Sequence, residues 1–163
     1  MRISITSLAA IVAVGLPLLA GALMVEIGNP VANPEALAKH AVLVVRTTAC
    51  HSPEKTSLTA TAEGVIDGQR RSIPIQLIPL STPGTFAVTR EWPSGGTWAL
   101  KFVARNPEYQ NYATGALVRF DGNSAEWASV KHYSHEPSSE EVDGMLDTHS
   151  GTANASLTHP TLH

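Results

Sequence analysis

Apolar and polar residues alternate along the middle of the chain. In the segment 96–105 every second residue is apolar on one face, as the series Trp98, Leu100, Phe102 and Ala104 shows. This period of two predicts a β-strand with one buried face. Similar apolar, alternating or β-branched segments cover residues 41–49, 57–66, 70–80, 84–92, 112–121 and 125–133. No long stretch of this region has the helical period, so the pattern predicts about seven strands.

Turn residues separate these segments. Asp67-Gly68 is the strongest signal for a two-residue hairpin turn, and Pro83-Gly84 marks a further turn. Pro74 and Pro79 have no N–H to donate to a ladder, so we expect residues 70–80 to form an edge strand or a bulged one. Short strands with turns about every 8–14 residues are typical of an immunoglobulin-like β-sandwich, with a small barrel as the alternative.

The chain begins with Arg2 and an uncharged, apolar run over residues 3–25. One hypothesis is a signal peptide that is cleaved after Ala20-Gly21-Ala22, which fits the A-x-A pattern. The other is an uncleaved membrane anchor, since the run is long enough to cross a hydrocarbon core of about 30 Å. Pro17, near the end of the run, favours cleavage because it breaks a straight spanning helix. Both hypotheses predict export.

Composition divides the chain into four parts. We expect a signal peptide or anchor over residues 1–25 and a linker over residues 26–39. A β-sandwich domain over residues 40–133 and an acidic flexible tail over residues 134–163 follow. Within the linker, Asn33 followed by Pro34 predicts a short helix up to Lys39. Asparagine caps helices, and proline suits the first helical position.

The predicted tail differs in charge from the domain. Residues 134–163 contain five acidic residues and no lysine or arginine. A segment with so few large apolar residues cannot offset the entropy lost on ordering, which predicts disorder. Between Lys39 and Tyr133, ten basic residues face seven acidic ones. This excess is too small for a nucleic-acid-binding surface, so no nucleic-acid partner is predicted.

Two glycine-led segments carry a resemblance to a known family. The first reads Pro83-Gly84-Thr85-Phe86, and the second reads Gly96-Thr97-Trp98-Ala99-Leu100. The pair resembles the late hairpin of small exported immunoglobulin-like domains of the YtkA/FixH type. This resemblance implies an exported β-sandwich that is an accessory to metalloprotein or envelope assembly. It also implies that Phe86 and Trp98 are cross-strand partners in the core, and it implies no catalytic residue.

Histidine and cysteine residues raise the hypothesis of a metal site. Cys50 and His51 are adjacent, and His132 and His135 form an H-x-x-H pair. Thiolate and imidazole ligands suit copper or zinc. The spacing matches no structural zinc motif, so ordinary core or surface residues are the favoured interpretation and no cofactor is predicted.

Two further features of the sequence bear on chemistry and on partner contact. Residues 52–55 fit the S-x-x-K pattern of penicillin-recognising enzymes, but the partner motifs are absent and a proline-containing turn is favoured. No other catalytic motif is present, so the chain is not predicted to be an enzyme. Trp92 lies in a turn, where it is either an exposed anchor for a partner or a cover for the end of the core.

Together these features predict an exported, non-enzymatic binding or accessory protein, either periplasmic, secreted or anchored facing outward. It would recognise an envelope or extracellular protein through loops or an edge strand. Contact with a membrane would involve only residues 1–25, and only if they are not cleaved. The alternative function is copper or zinc handling through Cys50, His51, His132 or His135.

Overall fold

A computed structural model describes residues 23–50, 52–109 and 112–147. The strands of this part, in chain order, are β1 (Met24–Gly28), β2 (Leu43–Thr48), β3 (Ser57–Ile66), β4 (Gln69–Pro74), β5 (Leu77–Pro79), β6 (Thr85–Val88), β7 (Thr97–Arg105), β8 (Ala113–Asp121) and β9 (Ser124–Tyr133). Its α-helices are α1 (Pro34–Ala38) and α2 (Ser139–Asp147). Short 3₁₀ turns lie at Pro30–Ala32, Pro53–Lys55 and Pro107–Tyr109.

The strands form two antiparallel sheets. The order in the first sheet, sheet A, is β1-β2-β6-β5, and the order in the second, sheet B, is β4-β3-β7-β8-β9. Residues of both sheets contribute to one buried cluster, so the sheets pack face to face. The predicted all-β sandwich is therefore confirmed, although the described residues contain nine strands instead of about seven.

The predicted strand over residues 70–80 is in fact two strands. Residues up to Pro74 form β4, at the edge of sheet B, and residues after Gln76 form β5, at the edge of sheet A. The chain thus crosses from one sheet to the other at Ile75 and Gln76. The edge position is confirmed and agrees with the missing N–H groups of Pro74 and Pro79.

The hairpin predicted at Asp67-Gly68 is confirmed. The two residues connect β3 and β4, and their φ angles are 51° and 73°. Two successive positive φ angles are characteristic of the tight turn that joins twisted antiparallel strands. Glycine reaches such an angle at no steric cost, and aspartate is one of the few other residues that tolerate it.

The core lies between the sheets and follows the predicted alternation of β7. Its largest members from sheet B are Trp98, Leu100, Phe102, Val118 and Phe120, and sheet A contributes Val25, Leu43, Val45 and Val88. The Trp98 ring packs over Gly64 of the neighbouring strand β3, where a Cβ atom would lie 2.6 Å from the ring. Its Nε1 atom donates to the carbonyl oxygen of Gly95 at 3.0 Å, so the buried indole has its hydrogen bond.

The hairpin that the resemblance implies does not join β6 to β7, since β6 pairs with β2 and β5, and β7 pairs with β3 and β8. Phe86 lies in β6 of sheet A and pairs with Val45, whereas Trp98 lies in β7 of sheet B and pairs with Gly64 and Phe120. The two residues are therefore not cross-strand partners, and the chain between them passes from one sheet to the other. Phe86 is half-buried and is not a member of the core cluster.

The short helix α1 was predicted correctly, but the segment around it is not a linker. Asn33 caps the helix, because its side-chain oxygen accepts from the N–H of Ala36 at 3.0 Å, and Pro34 occupies the first turn. Ala36 is fully buried against Leu80 and Ala87 on the outer face of sheet A. Residues 26–28 belong to β1, so residues 26–39 are part of the domain.

Two more predicted boundaries are wrong. The body of the protein begins before residue 26, since Leu23 and Val25 are buried in the core, and residues 1–22 lie outside the described part. The tail predicted to be flexible from residue 134 contains α2, whose Val142 and Met145 are buried against the outer face of sheet B. Residues 148–163 of that tail also lie outside the described part.

Candidate functional site

The N-terminal strand brings the start of the described chain against the opposite sheet. Leu23 and Val25 are 1% and 2% exposed. His132, near the end of β9, contacts the carbonyl oxygen of Val25 through its Nδ1 atom at 2.9 Å. A carbonyl oxygen can only accept, so Nδ1 carries the hydrogen, and in the neutral ring Nε2 is left as an acceptor.

A cavity of about 240 Å³ lies at this seam between the sheets. Its lining is Leu23, Met24, Val25, Tyr112, Thr114, His132, Tyr133 and Ser134. The Thr114 hydroxyl is used within the fold, since it donates to the carbonyl oxygen of Tyr133 at 2.7 Å. Within the described residues, the phenol of Tyr112 and the Nε2 atom of His132 form no hydrogen bond, so both can serve a ligand. We call this the seam cavity.

The size and composition of the seam cavity favour one side chain over a whole small molecule. Sites for drug-sized ligands enclose about 300–1,000 Å³, which is more than this cavity offers. Aromatic residues such as Tyr112 and Tyr133 are enriched where proteins recognise each other. Met24, on the wall of the cavity, is 48% exposed although it is apolar.

Two other depressions are larger but less suited to recognition. One, of about 300 Å³, contains the Glu26–Arg46 ion pair, with N–O contacts of 2.6 and 2.9 Å between the two side chains. The other, of about 380 Å³, is lined by the ends of loops and contains no aromatic residue. The seam cavity is the one of the three that combines an apolar wall with aromatic rings and an imidazole.

His132 and His135 contact different elements of the structure. His132 contacts β1 of sheet A. His135 lies instead beside α2, with its Nε2 atom 3.6 Å from a carboxylate oxygen of Glu141 and its Nδ1 atom 2.9 Å from the carbonyl oxygen of Glu136. No group of three histidine, cysteine or acidic side chains that could hold a metal ion occurs among the described residues.

Cys50 and the S-x-x-K motif lie at the loop that follows β2. Cys50 is exposed, and His51 lies outside the described residues. The Ser52 hydroxyl donates to a carboxylate oxygen of Glu108 at 2.5 Å, and the Lys55 ammonium donates to the other oxygen. The hydrogen bond that the Lys55 ammonium donates to Glu108 raises the pKa of Lys55 above its ordinary value. Ser52 and Lys55 therefore both donate to Glu108, and these bonds hold the proline-containing turn in place.

The exposed alternative for Trp92 is wrong, since Trp92 is only 3% exposed. Its ring packs edge-to-face on Phe120 with centroids 5.2 Å apart, and the Arg90 guanidinium lies 5.2 Å from the Trp92 centroid. Trp92 therefore covers the end of the core. The exposed tryptophan of the described chain is Trp127, which is 40% exposed in the irregular part of β9.

The seam cavity contains residues that the sequence analysis did not select, above all Met24 and Tyr112. Met24 was assigned to the export segment, and no motif marks Tyr112.

No protein family, curated protein or solved structure matches the chain. Among the described residues, none of the helices is long and apolar enough to cross a bilayer.

Proposed function

We propose that this protein is an exported binding module that recognises another envelope or extracellular protein at the seam cavity. The observation that carries the proposal is an apolar cavity of about 240 Å³ with an exposed Met24 on its wall and a free imidazole nitrogen on His132. An apolar side chain of the partner would enter the cavity. A donor beside it would reach the Nε2 atom of His132.

The proposed architecture is an immunoglobulin-like sandwich with two strands, β4 and β9, beyond the seven of a constant-type domain. Sheet A has the order β1-β2-β6-β5, which corresponds to the A-B-E-D order of constant-type immunoglobulin domains. In the same scheme, β4-β3-β7-β8 of sheet B corresponds to C′-C-F-G, and β9 is added after G. Domains of this kind commonly serve as binding modules, which is an analogy and supports the proposal only at the level of fold.

The position of Leu23 supports cleavage after Ala22. Cleavage at the A-x-A site would give a mature chain that begins with Leu23, whose side chain is buried. Cleavage even three residues later would remove Leu23 and Val25 from the core. The mass of the exported protein should therefore correspond to an N-terminus at Leu23. An N-terminus after Val25 would contradict the proposal, and a retained residue 1 would favour the anchor.

The binding proposal is tested with a matched pair of charge substitutions. Met24→Glu places a carboxylate at the seam cavity, and Val65→Glu places one at a similarly exposed apolar residue outside it, since Met24 and Val65 are 48% and 52% exposed. A partner captured from the exported proteins of the source cells should bind the wild type and Val65→Glu, but not Met24→Glu. Equal capture by all three forms would reject the seam cavity as the site.

Metal handling is tested on the same preparation. The mature protein from Leu23 is titrated with Cu(I), Cu(II) and Zn(II) and followed by native mass spectrometry. We expect no complex that depends on His132. A complex with one metal ion that is lost in both His132→Gln and His135→Gln would replace the binding proposal. Such a complex would require the two histidines to leave the different elements that they now contact.

A further inference from the structure

Three polar side chains lie in one row across the outer face of sheet A. Glu26 of β1 is paired in register with Arg46 of β2, and Arg46 is paired with Thr85 of β6. Val25 and Val45, which precede Glu26 and Arg46, face the core, so the row faces outward. All three line the depression of about 300 Å³ that contains the Glu26–Arg46 ion pair. We call it the sheet A depression.

Gly28 leaves the sheet A depression open. It lies opposite Val44 on the same face of the sheet. Apart from chain neighbours, a Cβ atom at Gly28 would have only the Val44 carbonyl oxygen within 4 Å, at 3.9 Å. A larger side chain would therefore fill the depression without a clash. Asn29 and Asn33, between β1 and α1, also line it, and its volume is at the lower limit of about 300–1,000 Å³ for small-molecule sites.

Thr85 is a buried polar residue whose hydroxyl has no partner. The residue is 6% exposed, and its Oγ1 atom forms no hydrogen bond within the described part of the chain. Most buried polar side chains in native proteins are hydrogen-bonded, because an unsatisfied buried group costs free energy. An unsatisfied hydroxyl on the wall of an open depression therefore points to a ligand atom that would bond to it.

The other polar groups of the depression also have unused hydrogen-bonding capacity, most of it as donors. The side-chain oxygens of Asn29 and Asn33 accept from backbone N–H groups two and three residues further along the chain. Each amide NH₂ is therefore left as a donor. The Nε and Nη2 atoms of Arg46 contact one oxygen of Glu26. Within the described residues, Nη1 of Arg46 and the other oxygen of Glu26 have no partner.

This set of groups matches a neutral ligand with several hydroxyls better than it matches an anion. The Arg46 charge is already neutralised by Glu26 at 2.6 Å, so an anion would have to displace that carboxylate or lie beside it. A hydroxyl both donates and accepts. Neighbouring hydroxyls of a sugar ring can therefore accept from Arg46 and the asparagine amides and donate to Glu26. The lining residues offer no aromatic ring to a protein partner.

We propose that the sheet A depression binds one residue of a neutral sugar, with the Thr85 hydroxyl as the buried member of its hydrogen-bonding groups. The Oγ1 atom has almost no contact with solvent, so a neighbouring side chain moves when the sugar binds. Arg46 is suited to this movement, because its side chain is 52% exposed and an exposed ion pair is weak. The site shares no residue with the seam cavity, so failure of either proposal leaves the other testable.

The experiment is a titration of the intact, isotope-labelled protein with glucose, galactose, mannose and N-acetylglucosamine, followed by amide NMR shifts. We expect at least one of these sugars to bind with a Kd of about 1 mM, as is usual for so small a ligand. The shifted amides should lie in residues 26–33 and at Arg46 and Thr85. Salt should leave binding unchanged, because neither the sugar nor the ion pair carries a net charge.

Thr85→Val and Thr61→Val form a matched pair of variants. Each removes a buried hydroxyl that has no partner within the described residues, and Thr61 lies in sheet B, outside the depression. We expect Thr85→Val to weaken sugar binding about three- to tenfold, the effect of one hydrogen bond, and Thr61→Val to leave it unchanged. Gly28→Val should abolish binding because its side chain fills the depression.

Two results would overturn the proposal. One is the absence of amide shifts with all of these sugars at concentrations about tenfold above the expected Kd, which would leave the Thr85 hydroxyl to a bound water. The other is equal sugar binding by the wild type, Thr85→Val and Gly28→Val. Far-UV circular dichroism shows whether the variants are folded. If they are not, the positions of the shifted amides in the unaltered protein decide.

Acetate and sulfate provide the opposing arm of the titration. Shifts of the same amides by these anions, weakened by salt and without any sugar binding, would overturn the assignment to a sugar and give the depression to an anion. No shift with either anion, together with sugar binding that depends on Thr85, is the result that the proposal predicts.

Discussion

Trp98→Ala is the substitution with the largest expected effect on stability. The side chain is 1% exposed, and its indole donates to Gly95. Removal of such a ring leaves a cavity and typically lowers the free energy of unfolding by about 3–5 kcal/mol. For a domain of this size, the melting temperature should fall by roughly 10–20 °C. Urea unfolding followed by far-UV circular dichroism measures the free energy without depending on tryptophan fluorescence.

Gly64 makes the prediction for Trp98 more specific. Gly64→Ala places a Cβ atom 2.6 Å from the Trp98 ring, and such overpacking costs about 1–3 kcal/mol. In the Trp98→Ala background the ring is gone, so the same alanine should cost close to nothing. The two changes should therefore be non-additive by about 1–3 kcal/mol. A loss below about 1 kcal/mol for Trp98→Ala, or additive losses in the double variant, would refute this packing.

Three further substitutions test the docking of α2. Gly115→Ala should lower the free energy of unfolding by about 1–3 kcal/mol, because the new methyl group collides with Pro137. Gly144→Ala should raise the free energy of unfolding by about 0.5–1 kcal/mol, because alanine favours the helix and meets no neighbour there. Denaturant unfolding measures both changes. Burial, and next to it the negative charge of Glu141, raise the pKa of the Tyr133 phenol above its ordinary value of 10.0. The phenol therefore contributes to stability below pH 10, and this contribution is lost as the pH rises through the pKa of the folded state. Tyrosinate absorbance should show a lower Tyr133 pKa in Glu141→Gln, and no change would contradict the electrostatic effect of Glu141.

The alternation of residues was the most informative signal for the fold. It placed Trp98, Leu100 and Phe102 on the buried face of β7, and the structure confirms all three. It succeeded because every core-facing residue of this central strand is apolar and buried, whereas its other face mixes buried and partly exposed residues. The turn at Asp67-Gly68 was equally readable, since few dipeptides adopt two successive positive φ angles.

The alternation of residues could not predict which strand belongs to which sheet. Residues 70–80 keep one apolar period across Ile75, although the chain passes there from sheet B to sheet A. Both sheets share the same core, so a residue can face it from either side without a change of pattern. For the same reason, the pattern could not show that Phe86 and Trp98 belong to different sheets.

The candidate site was hidden by distance along the chain. The contact between His132 and Val25 joins residues that are 107 positions apart. Val25 was grouped with the export segment because its apolar neighbours before residue 23 continue without a break. No local pattern distinguishes the last residues of an apolar leader from the first residues of a buried strand.

The start of helix α2 has a sequence pattern typical of a helix N-terminus, although the acidic composition of the segment predicted disorder. Ser138 and Glu141 form a capping box, in which each side chain hydrogen-bonds to the backbone N–H of the other, at 3.2 and 2.7 Å. This S-x-x-E pattern predicts the start of a helix, but Val142 and Met145 alone are too few to predict burial. The missing information is the complementary charge on strands β4 and β7, which precede the helix by at least 30 residues. The segment is therefore ordered by the burial of Val142 and Met145 against Ala99 and Leu117, to which its exposed ion pairs with β4 and β7 add direction more than stability.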